Sequence, residues 1–159
     1  MENKKKTKDE SILIGVDHAP AYLDEVVSFL ERRKVSNKKV MIETPCHPLP
    51  LRYYKRNLSY CKFYDGLYQY LHKKGACIIH GDSEELIEKA YKKLLRRGES
   101  CIPFSWFPEY KKIVCEERDH HFYKVYKKHH PEIIIIDSLH ATYFRERISC
   151  KYKRIPKED

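Results

Sequence analysis

No C-x-x-C pair occurs in this chain, and its six cysteines, at positions 46, 61, 77, 101, 115 and 150, show no paired zinc spacing. That absence argues against a zinc ribbon and against the disulfide framework of a small secreted domain. Most of the six fall in segments that read as helix or strand, so they are expected to be buried, reduced thiols in a cytoplasmic protein. Long apolar runs are missing as well. The basic start MENKKKTKDE leads into only four apolar residues, too few for a signal-peptide core or a membrane span, and no membrane insertion is expected. There is no internal repeat, no low-complexity tract and no linker to divide the chain. One domain over residues 11–155 is therefore expected, after a disordered basic tail over residues 1–10. A chain of 159 residues is long enough to bury a core without staples.

What is present in excess is positive charge, a formal +9. Such a surplus suits nucleic acid, acidic lipid or a lysine-rich composition alike. Much of it lies in the first eight residues and after Arg145. Nucleic-acid binding is accordingly expected to be weak, sequence-independent and carried by the tails. Thirteen tyrosines could stack on bases, but many recur at helical spacing and read as packing.

Strand and helix alternate along the chain. Ile12–Val16 reads as a strand, and Pro20 opens a helix with Leu23, Val26, Val27 and Leu30 on one face. Val40–Glu43 is a second strand, followed after three prolines by one long tyrosine-rich helix over residues 51–73, with Gly75 just past its end. Ala76–His80 is a third strand. Asp82 and Glu85 have the spacing of a capping box for the next helix. The stretch ESCIPFSWFPEY reads as a proline-broken loop, and a helix over residues 110–129 follows. Ile133–Ile136 is a buried strand, and RISCKYKRI alternates as a half-exposed edge strand would. The expected fold is α/β: a mainly parallel, mixed sheet covered by helices on both faces, with the last strand an antiparallel addition at the edge.

In open α/β sheets the functional crevice lies beyond the carboxyl ends of the strands. Those ends carry, in order, Asp17 and His18, then Glu43, Cys46 and His47, then His80 and Asp82, then Asp137 and His140. Oxygen and imidazole groups converging there could bind a divalent cation or divide general acid and base roles. Asp82 is accounted for by its cap, and His120, His121, His129 and His130 by a solvated helix face. His18, Glu43 and His140 have no such explanation, because each follows its strand where an apolar residue would pack better.

IGVDHAP, MIETP and EERDHHFYKVYKKHHPEIIIIDSLH resemble, in order, the landmarks of the TraB/Tiki family, which is likened to the erythromycin-esterase and ChaN-like proteins. The family's first Gly-x-x-His is matched by Gly15 to His18, its strand-end glutamate by Glu43, and its acidic-Arg pair by Glu117-Arg118. IIHGDSEELIEKAYKKL is similar to the family's middle segment. The resemblance spans Ile12 to about Phe144. At the second Gly-x-x-His an aspartate, Asp137, stands in place of glycine, and no membrane anchor like that of the Tiki proteases is present.

The resemblance implies a metal-dependent hydrolase of the peptidase or esterase kind, acting on a peptide or ester substrate. His18 and His140 would be metal ligands and Glu43 a ligand or general base. Arg118, with Glu117 beside it, would hold an anionic group or orient Glu43, and Asp17 and Asp137 would be extra ligands. The divalent cation would be Mn, Zn or Co, lowering the pKa of its bound water. An alternative is a Mg-dependent nuclease built on Asp17, Glu43, Asp82 and Asp137, with the basic tails as its grip. A third reading is a non-catalytic basic module for nucleic acid or another partner. Oligomeric state stays open.

Overall fold

The structure, a computed structural model, describes residues 10–96 and 108–157. Five strands form one sheet: β1 Ser11–Val16, β2 Lys39–Ile42, β3 Cys77–His80, β4 Ile133–Asp137 and β5 Cys150–Ile155. Their spatial order is β3-β2-β4-β1-β5, and every pairing is parallel. The helices are α1 Leu23–Glu31, α2 Leu51–Arg56, α3 Leu58–Lys73, α4 Glu84–Arg96, α5 Pro108–His129 and α6 Ser138–Arg145, with a short 3-10 turn at Pro20–Tyr22 before α1.

The central strands are apolar on both faces because both are covered. On one face Ile14, Val40, Ile42 and Ile135 pack against α1, α2 and α3 through residues such as Leu30, Tyr53 and Leu67. On the other, Leu13, Met41, Ile134 and Ile136 meet Phe122 of α5 and Ala141 and Phe144 of α6. The connections after β1 and β2 run over the first face, and the later ones over the second. Strand β4 lies between β1 and β2, so neighbouring strands here send their chains to opposite faces. That divergence marks the carboxyl ends of β1, β2 and β4 as the switch point, where a doubly wound sheet places its functional crevice.

Three expectations are corrected. The last strand is an edge strand, but it is parallel to β1, with Leu13 opposite Tyr152. The reason is α6, unforeseen in the sequence, which carries the chain back across the sheet so that β5 starts at the same end as β4. The tyrosine-rich helix is two helices. Asn57, with φ −149° and ψ 84°, breaks it, and its side chain caps α3 by accepting from the Tyr60 N–H. The third concerns the cysteines: of the five described, all free, Cys61 and Cys115 are buried, Cys77 is exposed and Cys46 and Cys150 are half-buried. Cys101 and most of ESCIPFSWFPEY lie outside the described residues. Among the described residues no helix is long and apolar enough to cross a membrane.

Candidate active site

At the crevice the ends of β1, β2 and β4 lie side by side, with Ile42 opposite Ile135 and Val16 opposite Asp137. Glu43 leaves β2 at the centre, its side chain only 3 % exposed. A buried carboxylate needs full compensation, and this one has it. Oε1 accepts from Arg118 Nη2 at 2.9 Å and faces His140 Nε2 at 3.4 Å. Oε2 accepts from the Asp137 N–H at 2.6 Å and lies 3.2 Å from His18 Nε2. Burial pushes the Glu43 pKa up, but the charges of His18, His140 and Arg118 and the His18 hydrogen bond overcome it, leaving Glu43 well below the usual carboxylate range.

The contacts continue outward on both sides as alternating imidazoles and carboxylates. On the inner side His140 Nδ1 bonds the buried Asp119 Oδ1 at 2.6 Å. On the outer side His18 Nδ1 faces Asp137 Oδ2 at 3.7 Å. The sequence of groups is Asp119, His140, Glu43, His18, Asp137. Its inner members are closed off, whereas the side chains of His18 and Asp137 keep 13 % and 23 % exposure. Burial lowers the His18 pKa, but the charge and hydrogen bond of Glu43, with help from Asp137, turn the net shift upward. Burial, assisted by Glu43, also raises the Asp137 pKa against the pull of His18 and the Leu139 N–H. The open end therefore pairs an imidazole and a carboxylate that are both more basic than usual.

Local sequence explains the placements. Asp137 is the N-cap of α6: its Oδ1 accepts from the Leu139 N–H at 2.7 Å, leaving Oδ2 turned to His18. His140 sits in the first turn of α6 and is buried, with Phe122 edge-on at 4.9 Å. Tyr60 and Tyr64, one turn apart on α3, reach the Glu43 carbonyl at 2.5 Å and His18 Nε2 at 3.0 Å. Arg118 forks onto Asp82, with Nε to Oδ1 at 3.2 Å and Nη2 to Oδ2 at 2.5 Å. One guanidinium thus bridges two buried carboxylates. Removing one partner of such a buried arrangement costs on the order of 3–5 kcal/mol.

Of the residues singled out in the sequence, His18, Glu43, Arg118, Asp137 and His140 come together. Asp17 does not join them; it pairs with Arg154 at 2.9 Å and accepts from Ser138 Oγ. Glu117 faces outward in an exposed pair with Lys89. Asp82 is not the helix cap expected of it. Ser83 Oγ approaches the Leu86 N–H instead, and Asp82 is buried on Arg118. His80 turns to Thr44 Oγ1 at 2.8 Å, and His47 stacks on Tyr68 with centroids 3.6 Å apart. Asp119, Tyr60 and Tyr64 join the site without being marked by a strand end. Asp119 had a signal: with Cys115 and Phe122 it lies on one buried stripe of α5, and an acid on such a stripe requires a partner.

The donor set does not fit the expected cation. Both Glu43 oxygens are committed, one of them to a guanidinium, and His140 Nδ1 is committed to Asp119. Among the described residues no group of three or more His, Cys, Asp or Glu side chains is arranged to hold a metal ion. No family model, no curated protein and no solved structure matches the chain.

Proposed function

We propose that the protein is a hydrolase of ester or amide bonds that works by general acid–base catalysis at the outer end of this relay. The observation that carries the reading is the relay itself, closed at Asp119 and open at His18 and Asp137. Glu43 accepts from Nε2 of His18, which leaves Nδ1 as the position where a proton comes and goes. A water bonded to both Nδ1 and Asp137 Oδ2 can reach a carbonyl carbon bound in the crevice. Asp137 takes the proton of the attacking water, and His18 Nδ1–H donates to the leaving oxygen or nitrogen. Glu43 stabilises the imidazolium before transfer, and Arg118, Tyr60 and Tyr64 hold Glu43 and His18 in place. The TraB/Tiki reading rests on the order of the sequence motifs, and the site uses that family's matched histidines and glutamate without a metal step. The nuclease reading is the less favoured, since Asp17 and Asp82 are each engaged by an arginine.

A panel of chromogenic esters and peptide amides, assayed with and without chelator, tests this. His18→Gln and Asp137→Asn should each lower kcat by about 100-fold or more, and the chelator should leave the wild type unchanged. Turnover indifferent to both substitutions overturns the acid–base assignment. Loss in chelator that Mn²⁺ or Zn²⁺ restores would return the cation to the mechanism.

A further inference from the structure

The strands of a parallel sheet all begin at one pole, and each helix that leads directly into a strand ends there. At that pole α1 runs out in RRK, α3 in HKK and α5 in KKHH, while β2 opens on Lys39 after Lys38. The facing acids are fewer: Glu10, Glu31, Glu132 and Glu146. These runs are held against one another. Lys38 Nζ bonds the Arg33 carbonyl at 2.8 Å, Lys39 Nζ bonds the His129 carbonyl at 3.1 Å, and the Asn37 N–H bonds the Gly75 carbonyl at 2.9 Å. The ends of α1, α3 and α5 are thereby gathered around residues 37–39.

The helix dipole explains the sign of this charge. It does not explain two of its placements. Lys34 and His130, with φ 50° and 48°, occupy the left-handed conformation that Gly75 adopts beyond α3 at φ 70°. Glycine takes that conformation freely and other residues do not. Side chains kept at such positions point to a use for them, and here both are exposed and able to carry positive charge. Among the described residues the opposite pole begins α1 with Asp24 and Glu25 and α4 with Glu84 and Glu85, so these helix starts carry the opposite sign.

We propose that this pole binds the phosphate backbone of a nucleic-acid duplex without regard to sequence. A base-stacking single strand suits it less, because the nearby rings of Phe29 and Tyr70 already lie beneath Arg33 and Lys74, at 4.3 and 5.8 Å. A lipid surface suits it less too. The exposed large apolar residues, Leu51 and Leu58, open α2 and α3 at the other pole, so among the described residues none stands here to insert.

The test is binding of the full chain to a short fluorescein-labelled DNA duplex across a salt series. The variant Lys34→Glu/Lys73→Glu/Lys128→Glu places one reversal at each helix end. Its control, Lys55→Glu/Lys62→Glu/Lys92→Glu, changes net charge equally on exposed residues elsewhere. The pole variant should lose roughly tenfold or more in affinity, and its log Kd against log salt slope should fall by about two to three. The control should stay close to wild type. The neutral set Lys34→Gln/Lys73→Gln/Lys128→Gln should show the same trend and serves if the reversals unfold the chain. Equal losses in pole variant and control, or a wild-type slope in the pole variants, overturn the proposal by leaving binding to net charge and the tail. Tighter capture of the wild type by phosphatidylserine vesicles than by duplex would make lipid the partner instead.

Discussion

His18 links proton uptake to folding. Its pKa is raised in the fold, so the stability it contributes is complete below its ordinary value of 6.5 and is lost as pH rises through the higher folded value. Glu43 acts in the other direction. Its pKa is depressed, so its contribution is complete above 4.5 and is lost as pH falls through the folded value. His80, lowered by burial and by His47, opposes His18, so the informative quantity is the difference between wild type and His18→Gln. Thermal melts should show the wild type losing stability from weakly acidic toward alkaline pH more steeply than His18→Gln. Equal alkaline slopes would mean that Glu43 does not hold a charged His18. The sequence makes His18 and Glu43 legible, because each stands where a buried strand ends and packing has no use for it. Asp119 was hidden by its position inside a helix full of charges, where burial depends on which face the sheet covers.

At the level of elements, the first four strands are legible because an apolar run covered on two faces has few other readings. The last helix is not. SLHATYFR is short, and its His140 turns inward on the face a solvated helix would keep polar. Only the cap announces it, since an aspartate followed by a helix N-terminus offers its carboxylate to a free N–H. Asp137 therefore serves α6 with Oδ1 and the site with Oδ2, and substitutions can separate the two. Asp137→Ala should cost about 1 kcal/mol in urea unfolding through the lost cap. Asp137→Asn, an equally good cap, should keep most of that stability. If both variants unfold alike, the cap contributes little and the aspartate serves the crevice alone. The same missed helix explains the wrong orientation of β5: without α6, alternation after β4 reads as the return strand of a hairpin.

Across the whole molecule, charge is sorted by pole, and net charge alone does not reveal this. The sequence places the surplus in the tails, but parallel strands return the ends of α1, α3 and α5 to one side, so residues far apart in the chain add their charge there. If Lys34 and His130 are kept for that surface, the fold gives up stability for them. Lys34→Gly and His130→Gly should each stabilise the protein by about 1 kcal/mol in denaturant unfolding. No gain at either site would mean that local contacts already relieve the left-handed backbone.

The parallel alignment of β1 and β5 also decides where anything attached to the chain will lie. The two strands are neighbours, yet the chain enters Ser11 at the basic pole and leaves Ile155 at the crevice, where the Ile155 carbonyl accepts from the Asp17 N–H beside His18. A fusion before Ser11 would crowd the duplex-binding face and spare the relay; a fusion after Ile155 would do the reverse. Joining the two ends to make a permuted chain would need a linker spanning the sheet, about 20 Å for a six-residue strand, where antiparallel neighbours would have needed only a turn.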